Sequence, residues 1–121
     1  MKVAFSLVCL VLLISVSAFA HHGAATYDND KTITLTGTIT DFQYMNPHVI
    51  VSMEVKDSST GKAEVWRGEL TSPNRLSRSG WSKNTLQPGD QVTLSGNPAK
   101  SGATIMRIAK LMKNGEELPT R

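Results

Sequence analysis

The sequence predicts an all-β domain of five strands, with one short helix between the third and the fourth strand. Apolar and polar residues alternate with a period of two in most segments, which is typical of strands that are buried on one face. The alternation is interrupted once, after the third such segment, by a helix start signal. The first segment is long and carries a glycine inside it, which indicates a bend or a bulge.

The first three strands are predicted over residues 31–40, 48–56 and 63–70. In the first of these, apolar side chains share one face and threonines occupy the other, which suits a half-buried strand. Gly37 interrupts the apolar face, so we expect the bulge or bend at this position. Turn-forming residues at positions 57–62 separate the second strand from the third.

The helix is predicted from Pro73 to Ser79. Ser72 is a good N-cap, proline suits the first helical position, and Gly80 is a plausible stop. Its one large apolar residue is Leu76, so we expect a short plug and not a core helix. The remaining elements are predicted as strands over 91–95 and 103–112, with a loop over 97–102 between them.

This order of elements is that of the OB fold, a five-stranded, partly open Greek-key barrel. A flat antiparallel sheet with one helix would give a similar pattern, but it would leave exposed edges that a closed barrel removes. We therefore predict an OB-fold-like barrel.

The first 20 residues have the features of a secretory signal peptide. Lys2 precedes an apolar run over residues 3–16, and Ala18-Phe19-Ala20 is a typical cleavage site. An uncleaved anchor is the alternative, but the run is shorter than the roughly 20 apolar residues of a spanning helix. We expect residues 1–20 to be a cleaved signal peptide, 21–30 an N-terminal segment and 31–121 one barrel domain, in the periplasm or secreted.

Composition limits the function classes. The one cysteine, Cys9, lies in the predicted signal peptide, so the mature chain cannot form a disulfide or a thiolate metal site. The net charge is +3, with basic residues concentrated between positions 70 and 115. A solvated face explains such asymmetry most simply; an anionic glycan, lipid headgroups or an acidic partner would also fit. We do not expect an exported protein to bind nucleic acid.

The chain resembles a family of small exported bacterial proteins classed as a domain of unknown function. The resemblance spans nearly the whole mature chain and implies an exported OB-like domain, without an activity that could be transferred. The matching residues are His21-His22-Gly23, Tyr27-Asp28, Asn46-Pro47-His48, Trp66, Glu69, Pro73, Gly80-Trp81 and Pro88-Gly89-Asp90.

Three histidines make a copper site the first functional hypothesis. Cleavage after Ala20 would make His21 the N-terminal residue, so that its amine and imidazole form a chelate beside His22. Imidazole and amine nitrogens suit Cu(II), and His48 would supply the third nitrogen. Met45, three residues earlier in the same loop, is a candidate soft axial ligand. The alternative is that His21 and His22 form a solvated tail and that His48 only helps to form the turn from the loop into the second strand.

The second hypothesis is a non-metal interaction module. OB domains bind ligands through the loop between strands one and two, where Tyr44 is the candidate exposed aromatic and Asn46 a polar contact. The partner would be an envelope glycan, peptide or protein. Trp66 is expected in the core and Trp81 as a cap of the barrel. We find no catalytic motif, so we do not expect an enzyme.

Overall fold

The computed structural model describes residues 26–121. The expectations for the signal peptide, His21 and His22 therefore lie outside the described residues. The elements are β1 (Ile33–Gln43), β2 (Ile50–Lys56), β3 (Ala63–Glu69), α1 (Pro73–Ser77), β4 (Gln91–Pro98), β5 (Ile105–Lys113) and β6 (Glu116–Leu118).

The sheet closes into a barrel. Its strands follow the order β3-β2-β1-β4-β5-β6, and all neighbours in that order are antiparallel. A parallel pairing of Arg67–Glu69 with Ile105–Arg107 joins β3 to β5 and completes the ring of five strands. The short helix lies between β3 and β4. The predicted OB-fold-like barrel is thus confirmed.

The core fills the barrel interior with one face of each strand. Its fully buried members include Ile39, Val49, Val51, Met53, Leu94, Met106 and Leu111. Leu76 of α1 is also completely buried, as expected of a plug, and Trp81 is 4% exposed beside it in the same cluster. The indole N–H of Trp81 donates to the Pro119 carbonyl at 2.8 Å, so this side chain ties the C-terminal residues to the barrel.

The irregularity in β1 lies elsewhere than predicted. The register with β2 shifts between Ile39 and Asp41, two residues beyond Gly37. Gly37 is required for a different reason: a Cβ at this position would collide with the backbone carbonyl of Glu54. The sequence signalled an unusual backbone position, but the pattern alone could not tell a bulge from a close approach.

Further details differ from the prediction. The helix ends at Ser77 rather than Ser79, and its N-cap Ser72 makes no side-chain hydrogen bond. Strand β4 continues through Asn97 and Pro98, so the loop predicted over 97–102 begins only after it. Strand β6 was not predicted, because three residues are too few to show a period. Asn114 and Gly115 form the turn before it, and both residues have the positive φ of a tight hairpin turn. Trp66 is half-buried at the edge of the core rather than inside it.

No helix within residues 26–121 is long and apolar enough to cross a membrane.

Candidate functional site

Two neighbouring cavities lie on the outer face of the barrel, and Tyr27 and Glu69 line both of them. The first has a volume of about 560 Å³ and walls of mixed polarity, whose polar residues include His48 and Arg107. The second has a volume of about 350 Å³ and mainly apolar walls. The end of β3 and the first half of β5 border both cavities, and residues at or just before the start of β2 line each of them, His48 the first and Ile50 the second.

Glu69 lines both cavities and links two other residues of the first one. Its Oε2 accepts a hydrogen bond from the Tyr27 hydroxyl, and its Oε1 lies 2.6 Å from Nδ1 of His48. The pairing of β2 with β3 produces this contact, because Ile50 lies opposite Glu69 and His48 precedes Ile50 by two residues on the same face. One carboxylate therefore connects the N-terminal segment with the loop between β1 and β2.

The hydrogen bond to Glu69 determines how His48 presents its ring. An ionised carboxylate only accepts, so Nδ1 must carry the proton that forms this bond. In the neutral imidazole, Nε2 then has an available lone pair. The side chain is 47% exposed and lines the first cavity, so the imidazole is accessible to a ligand. A carboxylate behind the ring is also the usual arrangement of a metal-bound histidine.

Tyr27 anchors the N-terminal segment to the barrel. It forms a β-bridge with Ala99, and the amide of Lys100 donates to the Thr26 carbonyl at 2.9 Å. Burial raises the pKa of the Tyr27 hydroxyl, the hydrogen bond to Glu69 and the negative charge of Glu69 raise it further, and nearby arginines oppose this weakly. The hydroxyl therefore stays protonated and acts as a donor to Glu69.

Arg107 supports the same wall from β5. Its Nη2 donates to Oδ1 of Asn29 at 2.6 Å and to Oδ1 of Asn97 at 3.0 Å. Its guanidinium also lies 5.6 Å from the ring centroid of Tyr27, a distance suited to a cation–π contact. These contacts join the N-terminal segment, β4 and β5, so Arg107 holds the position of Tyr27.

The predicted loop residues separate into two groups. His48, Asn46 and Met45 are exposed, and Met45 is 57% exposed. Tyr44 is not the exposed aromatic that we expected. It is half-buried, and its hydroxyl donates to the backbone carbonyls of Pro73 at 3.0 Å and Trp81 at 3.3 Å. Its polar group is thus engaged in holding the helix region, which is a structural role.

Three site residues were not among the predicted ligands: Tyr27, Glu69 and Arg107. Tyr27 and Glu69 belong to the motifs of the family resemblance, which was the one available signal for them. Within residues 26–121, no group of three or more His, Cys, Asp or Glu side chains is placed to hold a metal ion. A metal at His48 would therefore need further donors from outside this set.

An OB-like barrel with ligand-sized cavities on its outer face is the framework of a binding module. The chain belongs to the family of unknown function DUF6152, whose model matches residues 8–107.

Comparison of structures agrees with this fold. Eleven solved chains match. One is the crystal structure of Rim1, the mitochondrial single-stranded DNA-binding protein of S. cerevisiae, with a TM-score of 0.53 and 9% identity over 69% of this chain and 93% of that chain. At this identity the likeness shows the OB fold alone. No curated protein matches the sequence.

Proposed function

We propose that this protein is an exported, non-catalytic binding module that, once cleaved after Ala20, binds Cu(II) in the periplasm. The donors are Nε2 of His48 together with the amine and imidazole of His21, with His22 or Met45 as a further ligand. The observation that carries the proposal is the contact of 2.6 Å between Nδ1 of His48 and Glu69, which leaves Nε2 as the donor atom.

The position of Tyr27 supports the participation of the N-terminus. Tyr27 and His48 hold the two oxygens of the same carboxylate, so the N-terminal segment joins the barrel beside the proposed ligand. His21 precedes Tyr27 by six residues, and such a length of chain spans up to roughly 20 Å. The N-terminus therefore has enough chain to reach His48.

The donor set suits copper chemically. Cu(II) favours imidazole and amine nitrogens and binds them more tightly than other divalent first-row metals. The mature chain has no cysteine, so a thiolate site is not available to compete. Envelope export would also remove nucleic acid from the set of expected partners.

The central experiment compares the mature protein that begins at His21 with a version carrying one additional N-terminal glycine. We expect the additional residue to weaken Cu(II) binding at least tenfold and to change the electron paramagnetic resonance spectrum, because it moves the amine away from the first imidazole. His48→Ala should weaken binding similarly. Equal affinities and identical spectra for both N-termini would reject the proposed ligand set.

The role of Glu69 is tested by Glu69→Gln. The carboxamide replaces one of the two acceptor oxygens by an NH2 donor, so Tyr27 and His48 can no longer both donate to this side chain, and the arrangement that keeps the proton on Nδ1 of His48 is weakened. We expect Cu(II) affinity to fall by about 10–100-fold, the usual effect of losing such a partner. Glu54→Gln removes the same charge from β2 without touching His48 and is the matched control. Equal effects of both variants on Cu(II) affinity would indicate that only the lost negative charge matters, and would contradict the orienting role of Glu69.

The alternative is a non-metal module that binds an envelope glycan, peptide or protein. The apolar cavity beside Glu69 favours it, because copper would not use those walls. Binding of such a partner that survives a chelator and the loss of all three histidines would support this alternative.

A further inference from the structure

The smaller cavity on the outer face is a site distinct from the proposed copper ligands. Its volume is about 350 Å³, and its walls are formed largely by Ile50, Gly68, Ala99, Ala103 and Ile105. The side chains are aliphatic or absent, so the surface offers dispersion contacts and few hydrogen bonds. The chemistry of these walls favours a hydrocarbon chain.

A single cation lies at the edge of these apolar walls. Arg67 lines the cavity and is exposed, on the same face of β3 as Glu69. Within residues 26–121, no carboxylate lies within ion-pair distance of Arg67. The neighbouring Glu69 already accepts from Tyr27 and His48, and Arg107 is held by two asparagines. Arg67 is therefore the guanidinium available to an anion.

We propose that this cavity binds a linear aliphatic carboxylate, with its hydrocarbon chain against Ile50 and Ile105 and its carboxylate paired with Arg67. An apolar cavity that ends at a cation complements a molecule with an apolar chain and one negative end. Arginine is well suited to the anionic end, because its guanidinium can bind a carboxylate through two parallel hydrogen bonds. The inference does not depend on copper or on His48.

The test uses the mature chain in the presence of a chelator, with decanoate as the probe. We expect saturable binding of one decanoate by calorimetry, with NMR shifts concentrated at the amides of Gly68, Ala103 and Ile105. Ala103→Phe should abolish binding, since the exposed Ala103 lines the cavity and a phenyl ring there would occupy it. The absence of saturable binding, or equal binding by Ala103→Phe, would overturn the proposal.

The role of the charge has its own controls. Arg67→Gln should weaken decanoate binding at least tenfold. Lys100→Gln is the control, because Lys100 is exposed and does not line this cavity, and it should change the affinity for decanoate less than twofold. Decanol, with the same chain and no charge, should bind at least tenfold more weakly than decanoate. Equal affinity for decanol would reject the pairing with Arg67. Binding to anionic phospholipid vesicles but not to decanoate would reject the cavity in favour of a membrane surface.

Discussion

Glu69 shows at the level of single residues how much of the site depends on the closed fold. Its partners lie 42 and 21 positions away in the sequence, at Tyr27 and His48. No local pattern relates these residues, because strand register and barrel closure bring them together. The histidine could be selected from the sequence by its chemistry, whereas the carboxylate that orients it could not.

Gly68 provides a residue-level prediction about packing across the barrel. A Cβ at this position would collide with Cδ1 of Ile108, and it would lie 2.8 Å from Cγ1 of the same side chain and 3.2 Å from Cδ1 of Leu94. We expect Gly68→Ala to lower the free energy of unfolding by about 1–3 kcal/mol, because the buried methyl group overpacks the core. Ile108→Val removes the atom in closest contact, so the double variant should lose less stability than the two single variants added together. Urea unfolding measures all three.

Gly96→Ala is the matched control for this coupling. A Cβ there would meet the backbone of β5, with the carbonyl carbon of Arg107 at 2.8 Å and Cα of Ile108 at 3.1 Å. Shortening the side chain of Ile108 cannot relieve a backbone collision, so Gly96→Ala and Ile108→Val should be additive within about 0.5 kcal/mol. If the stability losses of Gly68→Ala and Ile108→Val are also additive, the proposed contact between the two side chains is contradicted.

At the scale of elements, the strands were predictable where one face alternates with the other over at least five residues. β1, β2 and β3 follow from the period, and the start of the helix follows from Pro73, although Ser72 makes no side-chain capping hydrogen bond. The position of the irregularity in β1 and the existence of β6 could not be predicted. Both depend on neighbouring strands: the register shift between Ile39 and Asp41 is defined by the pairing with β2, and β6 by its pairing with β5.

Asp90 joins two elements and gives a prediction about pH. It precedes β4 and accepts from the amide of Gln87 at 2.9 Å, and it forms an ion pair of 3.1 Å with Lys113 at the end of β5. Both contacts lower the pKa of Asp90, and the hydrogen bond from the Gln87 amide is the larger cause. A lowered folded-state pKa adds stability above the unfolded value, about pH 4, and this stability is lost as the pH falls through the folded-state pKa.

We therefore expect Asp90→Asn to be less stable than the natural chain by about 0.5–1 kcal/mol at pH 7. Asparagine retains an oxygen that accepts from the amide of Gln87, so the lost stability measures the contribution of the negative charge of Asp90. The stabilities of the two proteins should converge as the pH falls through the folded-state pKa of Asp90, measured by urea unfolding across the pH range. Glu117→Gln, which removes the acid of the more exposed pair with Lys110, should have a smaller effect at pH 7. A stability difference for Asp90→Asn that is constant from pH 7 to pH 2 would contradict this reasoning.

At the scale of the whole molecule, the order of elements was sufficient to predict the barrel but not the packing of the C-terminal residues against it. The parallel pairing of β3 with β5 follows from the OB topology once that topology is chosen. The C-terminal residues have no comparable signal, because their contacts are made by isolated side chains and carbonyl groups. Thr120 donates to the carbonyl of Ala109 at 2.9 Å, and Ser79 donates to that of Arg121 at 2.9 Å.

Truncation after Gly115 tests whether these end contacts stabilise the barrel as a unit. The deletion removes β6, uncovers the core beside Leu118 and takes away the carbonyl that accepts from Trp81. We expect the free energy of unfolding to fall by at least about 3 kcal/mol, because three side-chain hydrogen bonds, the backbone hydrogen bonds between β5 and β6 and part of one leucine side chain are lost. The melting temperature should fall by roughly 12–20 °C in a domain of this size. Deletion of Arg121 alone removes only the contact with Ser79 and should lower the melting temperature by less than about 5 °C. Similar melting temperatures for the natural chain and the long truncation would contradict this expectation. They would show that the five strands that close the ring provide the stability without β6 and the residues after it.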